Sequence, residues 1–594
     1  MKTVEIEREV ACTAPPETLW PLLADTARLN RIVGMAPLEL TPIEGAGSER
    51  YRVRTKLDGF PAEYDEEPFE WHSPDSFVVR RNMTQGVLHS LVMGLEVHPG
   101  EGGGSRVVWR LVFTVRLALL APITRLVGEW RMNTVLAATR AFDASILAPP
   151  VPTAPGPVSE GFTRATDALV AVVGADEQAL ARRLGAWVAV APDIDVMHIR
   201  PYELADQWGE PRDRLLAVCL EAVVVGLLQM HWDLICPSCR TGASRVEHLY
   251  DLTANGHCTF CDIGFEVPLD RSVEAIFQPA AALRLVEPRP YCTGGPSSTP
   301  HVLAQAHLAR DGEARFRAPA EGRYRVFVRG GATAEIVVVA DGATEVTLEA
   351  TPVLTPASAR VAPGATIVVR QVGGSARHAK LEHVAWAERA ATAHKLSLQP
   401  RFRRTFSGEV LGPGRQLRVA RVALLFSDLS ASTALYSRVG DAPAFRLVQD
   451  HFELLREKIA AEGGVVVKTI GDAVMAAFED EGAALRAGIA MQTAWDAFRE
   501  PRPDSTDTML KVGVHVGPAY VVTANGVLDY FGQTVNVAAR LQGAAHEREI
   551  VVTDELAARA EAAGWLAGAR VSEHFDAVLK GLDHPVKAAR LVVG

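Results

Sequence analysis

The sequence lacks an excess of positive charge and has no long apolar run free of charged residues. Its 594 residues carry a formal net charge of −10, which argues against broad electrostatic binding to nucleic acid or to an anionic membrane. The two most apolar windows, residues 111–128 and 215–232, both contain charged side chains, so we expect core elements there. The N-terminus, MKTVEIEREV, has no apolar signal-peptide region. These absences predict a protein with no membrane span and no nucleic-acid partner.

Cysteine is scarce, and its number, seven, is odd. Four cysteines lie in the segments ICPSC and HCTFC, with the spacing C-x2-C-x18-C-x2-C. Two CxxC turns at this spacing can place four thiolates tetrahedrally around Zn²⁺, in a closed structural site without an open position for water. Together with the missing signal peptide, this pattern favours the reducing cytoplasm and a metal over disulfides. We predict a structural zinc ribbon at Cys236, Cys239, Cys258 and Cys261. The alternative is four free buried thiols.

Residues 1–147 are expected to form one α+β domain. The strand-like segment VEIEREV is followed by a short helix, by several strand-like runs with Gly-rich turns, and by a long helical stretch at about 120–146. This order resembles the helix-grip fold of START-like and polyketide-cyclase-like domains. The resemblance implies an apolar cavity between sheet and long helix that could take a small lipophilic ligand. A cavity filled by the domain's own side chains is the alternative.

The middle of the chain changes composition several times. A Pro-rich linker is predicted at 148–158, and a helical region that contains the zinc ribbon at 159–265. We expect residues 160–235 to be helical, in the segments RATDALVAVV, DEQALARRLGAWVAV and PRDRLLAVCLEAVVVGLLQMHW. Regular short strands between Gly turns predict a β-sandwich-like region at 266–388, and residues 389–418 are interpreted as a basic connector.

Residues 419–594 are expected to form a further domain. A buried strand, RVALLFSDLS, precedes a long helical region at about 431–462, a hairpin and a helix at 481–499. Strands LKVGVHVG and AYVVTAN, a helix from Thr534, strand EIVVT and a final strand pair follow. The order βα(α)ββαβ is ferredoxin-like. The predicted fold class is therefore multidomain α+β, with an N-terminal helix-grip domain, a helical, zinc-ribbon and β-sandwich middle, and a ferredoxin-like C-terminal domain.

Two charged residues interrupt the predicted hairpin VVVKTIGDAVMAAF, residues 465–478. Lys468 and Asp472 lie four residues apart between apolar runs. A charge in such a place must be paired, bound to a metal or functional, because an unpaired buried charge is costly. On their own, these two side chains could simply form an ion pair with each other.

Other polar residues near the hairpin suit phosphate chemistry. In FSDLSAST, Asp428 ends a strand, and small and hydroxyl residues then open a helix, which suits a phosphate–metal complex. If Asp472 lies beside Asp428, the two carboxylates can hold two Mg²⁺ ions. In LDYFGQTVNVAARLQ, Asn536 and Arg540 share one helical face, where they could support a charge developing on phosphorus.

Over roughly 418–594, these motifs resemble the class III nucleotidyl cyclase catalytic domain. The segments that carry the resemblance are FSDLSAST, KTIGDAVMAAF and DYFGQTVNVAAR. The resemblance implies that Asp428 and Asp472 bind two Mg²⁺ or Mn²⁺ ions per active site. It also implies that Asn536 positions the ribose and that Arg540 stabilises the triphosphate in the transition state.

The resemblance further implies that Lys468 and Asp529 recognise the base. Adenine offers an acceptor at N1 and an amino donor at N6, which match a Lys donor and an Asp acceptor, whereas guanine presents the reverse pattern. The guanylate-selective members typically have Glu and Cys at these positions, so ATP is the expected substrate. Lys580, in VLKGLDHPV, matches a lysine that approaches the phosphates. Gln533, where Asn is common, is not among the working positions.

In this family two catalytic domains pair head to tail, with an active site at each seam. The metal-binding carboxylates of a site come from one domain, and its base-selecting and transition-state residues come from the other. Since the single catalytic domain of this chain carries both sets of residues, the resemblance implies a homodimer with two equivalent sites. We therefore expect an adenylate cyclase that converts ATP to 3′,5′-cyclic AMP and pyrophosphate and is regulated by its upstream domains. The alternatives are a catalytically silent cyclase-fold sensor and a ligand-binding protein such as a lipid carrier.

Overall fold

The computed structural model describes the chain except for residues 44–50, 58, 148–158, 241, 260, 287–289, 385–388, 431–436, 503–507 and 580–583. The predicted Pro-rich linker at 148–158 therefore lies outside the described residues. In the described part of the chain, no helix combines the length and apolar character needed to cross a membrane.

The N-terminal domain is an antiparallel sheet with a long helix across one face. Its elements are β1 (Lys2–Cys12), α1 (Pro16–Leu23), α2 (Thr26–Ile32), β2 (Glu39–Pro42), β3 (Tyr51–Leu57), β4 (Phe60–Glu66), β5 (Glu70–His72), β6 (Ser76–Met83), β7 (Leu88–Pro99), β8 (Ser105–Val115) and α3 (Ala121–Leu147). The Trp109 indole of β8 donates to Thr139 Oγ1 of α3 at 3.0 Å. The Asp143 carboxylate of α3 accepts from the backbone N–H groups of Thr13 and Ala14, both at 2.9 Å. These bonds fix the long helix over the sheet.

The next region combines five helices with short strands. It contains α4 (Glu160–Val172), α5 (Gln178–Val190), α6 (Asp193–Val196), α7 (Pro201–Trp208), α8 (Arg212–Val224), β9 (Leu228–Ile235), β10 (Gly242–Val246), β11 (Asn255–Cys258), β12 (Ile263–Glu266) and β13 (Val273–Pro279). β9 lies between β10 and β13, and β11 pairs with β12. The predicted helix through residue 235 is wrong after Val224. Gly226, with φ of +75°, lets the chain leave α8 in the left-handed conformation, and β9 follows.

A group of longer strands encloses a separate apolar core. The strands are β14 (Val302–Leu308), β15 (Glu313–Arg317), β16 (Gly322–Val328), β17 (Ala332–Ala350), β18 (Leu354–Thr355), β19 (Ser358–Gln371) and β20 (Arg377–His383). Gln305 of β14 pairs with Trp71 of β5, and the Trp71 indole donates to Val302 O at 2.9 Å. This contact joins the strands to the N-terminal domain in one 15-stranded sheet.

The segment predicted as a basic connector is folded and packed. It contains two short helices, α9 (Ala393–Ser397) and α10 (Pro400–Thr405). Thr392 caps α9 by accepting from Lys395 N at 3.3 Å. Phe402 of α10 is 1% exposed and packs edge to face on Trp232 of β9, with ring centroids 6.0 Å apart. Apolar side chains between the basic residues thus anchor this segment to the middle of the chain.

The C-terminal domain is built on an eight-stranded sheet. Its elements are β21 (Gln416–Leu429), α11 (Asp441–Ala461), β22 (Val465–Ile470), β23 (Ala473–Phe478), α12 (Glu481–Arg499), β24 (Leu510–Ala524), β25 (Val527–Phe531), α13 (Gln533–Gly543), β26 (Glu549–Thr553), α14 (Asp554–Ala563), β27 (Ala569–Ala577) and β28 (Val586–Val593). The sheet order is β22-β23-β21-β24-β26-β28-β27, and β25 pairs with β24. With β21 between β23 and β24, the elements from β21 to β24 have the ferredoxin-like arrangement.

One strand prediction in this domain is wrong. LKVGVHVG and AYVVTAN are a single strand, β24, because Gly517 and Pro518 stay extended beside β21. The two faces of β24 then serve different helices. Val512 and Val514 pack with α11 and α12, whereas Gly513 faces α13.

Candidate active site and cysteine cluster

The hairpin of β22 and β23 brings Asp472 next to Asp428. Ser427 of β21 pairs with Val474 of β23, so Asp428 is the next residue along β21, and Asp472 lies in the turn just before β23. Burial raises the pKa of Asp428, and the negative charge of Asp472 raises it further. Asp472 Oδ2 is buried and has no hydrogen-bond partner in the described part of the chain. Two repelling carboxylates with an unsatisfied oxygen fit a divalent cation, which would relieve both costs.

Two neighbours of Asp428 were not found by sequence reasoning. Lys511 of β24 pairs directly across from Asp428, and the positive charge of Lys511 counters the rise in the pKa of that carboxyl. A hydrogen bond from Gln542, near the end of α13, acts in the same direction. Lys511 lies in LKVGVHVG and Gln542 ends LDYFGQTVNVAARLQ, but neither was assigned a site role, because only the packing of β24 and α13 on β21 brings them to Asp428.

Lys468 forms an ion pair with Asp529 and not with its neighbour on the hairpin. Lys468 Nζ lies 2.5 Å from Asp529 Oδ2, and Asp529 Oδ1 accepts from Tyr530 N at 2.8 Å. The Asp529 side chain is 9% exposed and that of Lys468 is 34% exposed. The structure therefore brings the two predicted base-recognising residues into contact. The same hairpin therefore contributes to two pairs. Lys468 pairs with Asp529, and Asp472 lies beside Asp428.

Asn536 and Arg540 lie on the exposed face of α13. The position of this helix depends on a close approach to β24 at Gly513. A Cβ there would lie 2.2 Å from Gln542 N, so only glycine allows this contact. Both side chains are thus held on a fixed helix and remain accessible. Lys580, the remaining predicted site residue, lies outside the described residues.

The four predicted zinc ligands converge on one point. Their Sγ atoms all lie within 4.8 Å of one another, and all four side chains are buried. The residue after each CxxC turn donates its N–H to the carbonyl oxygen of the first cysteine. Arg240 N donates to Cys236 O at 2.9 Å, and Asp262 N donates to Cys258 O at 2.8 Å. Arg240 and Asp262 have φ of 57° and 56°, so the two turns share one geometry.

A buried cation accompanies the cysteine cluster. Lys380 is 0% exposed, and its Nζ lies 3.6 Å from Cys261 Sγ. Hydrogen bonds from Cys236 and the other two thiols hold the pKa of Cys239 well below its usual value, and the Lys380 charge adds to this effect. A zinc ion with four thiolates is an anion, so a buried ammonium beside it would offset its charge. The donor set therefore fits a metal with thiolate preference.

The N-terminal domain contains a cavity of about 170 Å³ between its sheet and α3. Its walls are mostly apolar and include Leu91, Met93 and Phe113. Arg81 also lines it, and this buried guanidinium is paired with Glu66 at 2.6 Å. Typical small-molecule pockets measure roughly 300–1,000 Å³, so this cavity suits a small apolar ligand.

Three family models match parts of the chain. Residues 416–584 match the adenylate and guanylate cyclase catalytic domain. Residues 1–173 match the polyketide cyclase / dehydrase and lipid transport family, and residues 164–290 match a family of unknown function (DUF5939). The resemblances inferred from the sequence for 418–594 and 1–147 are thereby confirmed, and the chain carries a cyclase catalytic domain.

Several curated proteins are similar to the C-terminal part. An uncharacterised protein of Mycobacterium tuberculosis is 34% identical over 166 residues, which are 28% of this chain and 40% of that protein. The adenylate cyclase of Anabaena cylindrica is 32% identical over 135 residues, 21% of this chain and 27% of that enzyme. The adenylate cyclase of Streptomyces coelicolor is 33% identical over 141 residues, 24% of this chain and 34% of that enzyme. The chain thus spans 40% or less of the length of each.

Among solved structures, the adenylyl cyclase CyaB from P. aeruginosa is similar to 30% of this chain over 97% of its own length. The sequence identity is 22% and the TM-score is 0.28.

Proposed function

We propose that the chain is an adenylate cyclase that converts ATP to 3′,5′-cyclic AMP and pyrophosphate. The observation that carries this proposal is that one hairpin contributes to two functional pairs, Lys468 with Asp529 and Asp472 with Asp428. The first pair suits adenine and the second suits a divalent cation. The match of residues 416–584 to a cyclase catalytic domain supports the same reaction class.

Recognition of adenine follows from the chemistry of the ion pair. The Lys468 ammonium would donate to adenine N1, and the Asp529 carboxylate would accept from the N6 amino group. Guanine would place a donor against Lys468 and an acceptor against Asp529. Because Asp529 is nearly buried, such a mismatch would leave polar groups unsatisfied. The site would therefore favour ATP over GTP by a factor of roughly 10²–10⁵.

The reaction is an internal displacement on phosphorus. The ribose 3′-oxygen attacks the α-phosphorus, the bond from that phosphorus to the bridging oxygen of the β-phosphate breaks, and pyrophosphate leaves. The proton of the 3′-hydroxyl passes to solvent. Asp428 and Asp472 would hold two Mg²⁺ or Mn²⁺ ions, which supply charge neutralisation and acidify the hydroxyl when bound. The protein's own part is positioning and charge stabilisation.

The exposed residues of α13 fit a shared site. Asn536 would orient the ribose, and the Arg540 guanidinium would stabilise charge that builds on the phosphates, with Lys580 as a further phosphate contact. Since Asn536 and Arg540 point outward from their own domain, we assign them to the site of a second subunit in a homodimer.

The upstream regions are proposed to regulate and stabilise this domain. The four cysteines would hold a structural Zn²⁺, because a closed thiolate set leaves no open coordination position. The N-terminal cavity would take a small lipophilic ligand that changes the cyclase rate. We expect the protein to work in the cytoplasm, where thiolates stay reduced.

The test is product formation by the purified full-length protein. ATP or GTP is supplied with Mg²⁺ or with Mn²⁺, and the products are separated by chromatography. We expect cyclic AMP, with little cyclic GMP, and no product from an Asp472→Asn control. Cyclic GMP as the main product would contradict the base assignment. No cyclic nucleotide under any condition would favour the silent sensor.

A further inference from the structure

The strand that carries Asp529 is held from outside the catalytic domain. Asp529 lies on β25 between Leu528 and Tyr530, and residues alternate between the two faces of a strand. Asp529 faces Lys468, whereas its two neighbours contact the segment that contains α9 and α10. This segment ends before residue 416, where the match to the cyclase catalytic domain begins.

Arg403 of α10 hydrogen-bonds to the backbone on one side of Asp529. Its Nη1 donates to Leu528 O at 3.0 Å, and its Nε donates to Ser397 O at 2.6 Å. Burial lowers the pKa of Arg403, while Tyr530 and the negative charge of Asp529 act against this fall. The guanidinium therefore joins α9, α10 and β25 and adds a positive charge near the recognition carboxylate.

Tyr530 fixes the other side of Asp529. Its hydroxyl lies 3.4 Å from His394 Nδ1, and the two rings meet edge to face with centroids 6.0 Å apart. The Tyr530 backbone N–H is the donor to Asp529 Oδ1. The contacts of the ring thus help to fix the residue whose backbone N–H binds the carboxylate.

The α9–α10 segment is itself anchored in the middle of the chain. His394 N donates to Leu269 O at 3.2 Å, and Ala275 N of β13 donates to Ala391 O at 2.9 Å. Together with the packing of Phe402 on Trp232, these bonds connect β25 to the sheet of β9 and β13. The orientation of Asp529 therefore depends on elements upstream of the catalytic domain.

We propose that Arg403 and Tyr530 are positioning residues that hold Asp529 for base recognition and so set the preference for ATP over GTP. The proposal rests on the proposed adenylate cyclase function. It assigns a specificity role to Arg403, which lies outside the catalytic domain. Neither residue needs to touch the nucleotide, because Arg403 binds the carbonyl oxygen of Leu528 and the Tyr530 backbone N–H binds the Asp529 carboxylate.

The experiment compares kcat and KM for ATP and for GTP in variants of the full-length protein. Arg403→Met removes the guanidinium, and Tyr530→Phe removes one hydroxyl. Arg404→Met, at the next and exposed position of α10, is the matched control. We expect about a tenfold higher KM for ATP and a similar fall in the ATP:GTP ratio in the first two variants, since each loses a hydrogen bond near a charged group. Arg403→Lys should restore part of the ratio.

An ATP:GTP ratio and a KM for ATP equal to those of Arg404→Met would overturn the proposal. So would an equal fall of kcat for both nucleotides at unchanged KM, since that pattern reports a smaller folded fraction. If Arg403→Met does not fold, Tyr530→Phe decides, because it deletes a single atom. A wild-type protein without activity would count against the proposed function instead. Binding of ATP relative to GTP, measured by calorimetry on the same variants, would then decide the positioning role.

Discussion

Lys468 and Asp529, 61 residues apart in the chain, meet in a 2.5 Å ion pair at the edge of the catalytic sheet. Each is the other's charge partner, and both present the donor and acceptor pattern that adenine requires. In the turn of the same hairpin, Asp472 lies beside a second carboxylate, that of Asp428. The two proposed functions of the hairpin are therefore separated by only four positions along the chain.

Removing the carboxylate of this ion pair should impair base selection. Asp529→Ala leaves the Lys468 ammonium unpaired and deletes the acceptor for the adenine amino group. We expect kcat/KM for ATP to fall by about 10²-fold and the preference over GTP to be largely lost. The control is Asp576→Ala, which breaks an exposed 2.8 Å ion pair with Lys587 in the same domain. Equal ATP:GTP ratios in the two variants would contradict the assignment.

The carboxylate pair should separate activity from stability. Asp428→Asn and Asp472→Asn are expected to abolish cyclase activity. Because each variant also removes a repulsion, its melting temperature in EDTA should equal or exceed that of the wild type. Folding raises the pKa of Asp428, so the folded state favours the protonated form of this carboxyl. The stability that this group contributes is full at low pH and is lost as the pH rises through its pKa in the folded protein. Asp428→Asn should flatten this pH dependence, which thermal melts in EDTA would show.

Activity near the wild-type rate in either variant would disprove the two-metal assignment. Asp450→Asn is a suitable control, since it neutralises a half-exposed carboxylate paired with Arg502 at 2.9 Å. It should leave both the rate and the metal dependence of the melting temperature unchanged.

Candidate site residues could be read from the motifs because each motif is local. Asp428, Asp472 and Asn536 follow from strand ends, a hairpin turn and a helical face, all of which short-range patterns specify. The contact of Gln542 with Asp428 could not be predicted, because it depends on how closely α13 approaches β24 at Gly513. Spacing along one element cannot specify the distance between two elements.

The middle of the chain was harder to predict for the same reason. β9 was interpreted as helix, since a short apolar run fits either a buried strand or a buried helix. The pairing of β5 with β14 joins residues far apart in the chain, and three-residue β5 carries no signal for its partner. Likewise, the many basic residues at 389–418 suggested an exposed connector, so the burial of Phe402 was not predicted.

Shared sites predict complementation between inactive subunits. Asp472→Ala and Arg540→Ala lie on opposite sides of the proposed seam, so a mixed dimer keeps one intact site. Equal mixing should give half mixed dimers and therefore about a quarter of the wild-type activity. The control mixes Asp472→Ala with Asp428→Ala, which damage the same side and should stay inactive. If exchange of subunits is demonstrated and the first mixture remains inactive, the shared-site assignment is wrong.

The cysteine cluster should hold about one zinc ion per chain as a structural element. Cys236→Ser should release the metal and lower the melting temperature, with little change in KM for ATP in the protein that remains folded. Cys219→Ser is the control, since Cys219 is equally buried but lies outside the cluster. Lys380→Met should retain zinc more weakly, because the buried cation no longer offsets the thiolates. Elemental analysis of freshly purified protein checks the stoichiometry, and its finding no zinc would decide against the site.

The N-terminal cavity should control the rate of the distant catalytic domain. Deleting residues 1–157 is a poor test, because it would remove β5 and expose the edge of β14. A better variant is Leu91→Trp, which fills the cavity while keeping the sheet. We expect octanoate, a small lipophilic probe suited to about 170 Å³, to change the cyclase rate of the wild type and not of the variant. A ligand can do this only if it binds the active and resting states with different affinity. Initial rates against octanoate concentration measure the effect, and the melting temperature reports binding separately. A probe that raises the melting temperature of the wild type without changing its rate would show a binding domain that does not regulate the cyclase.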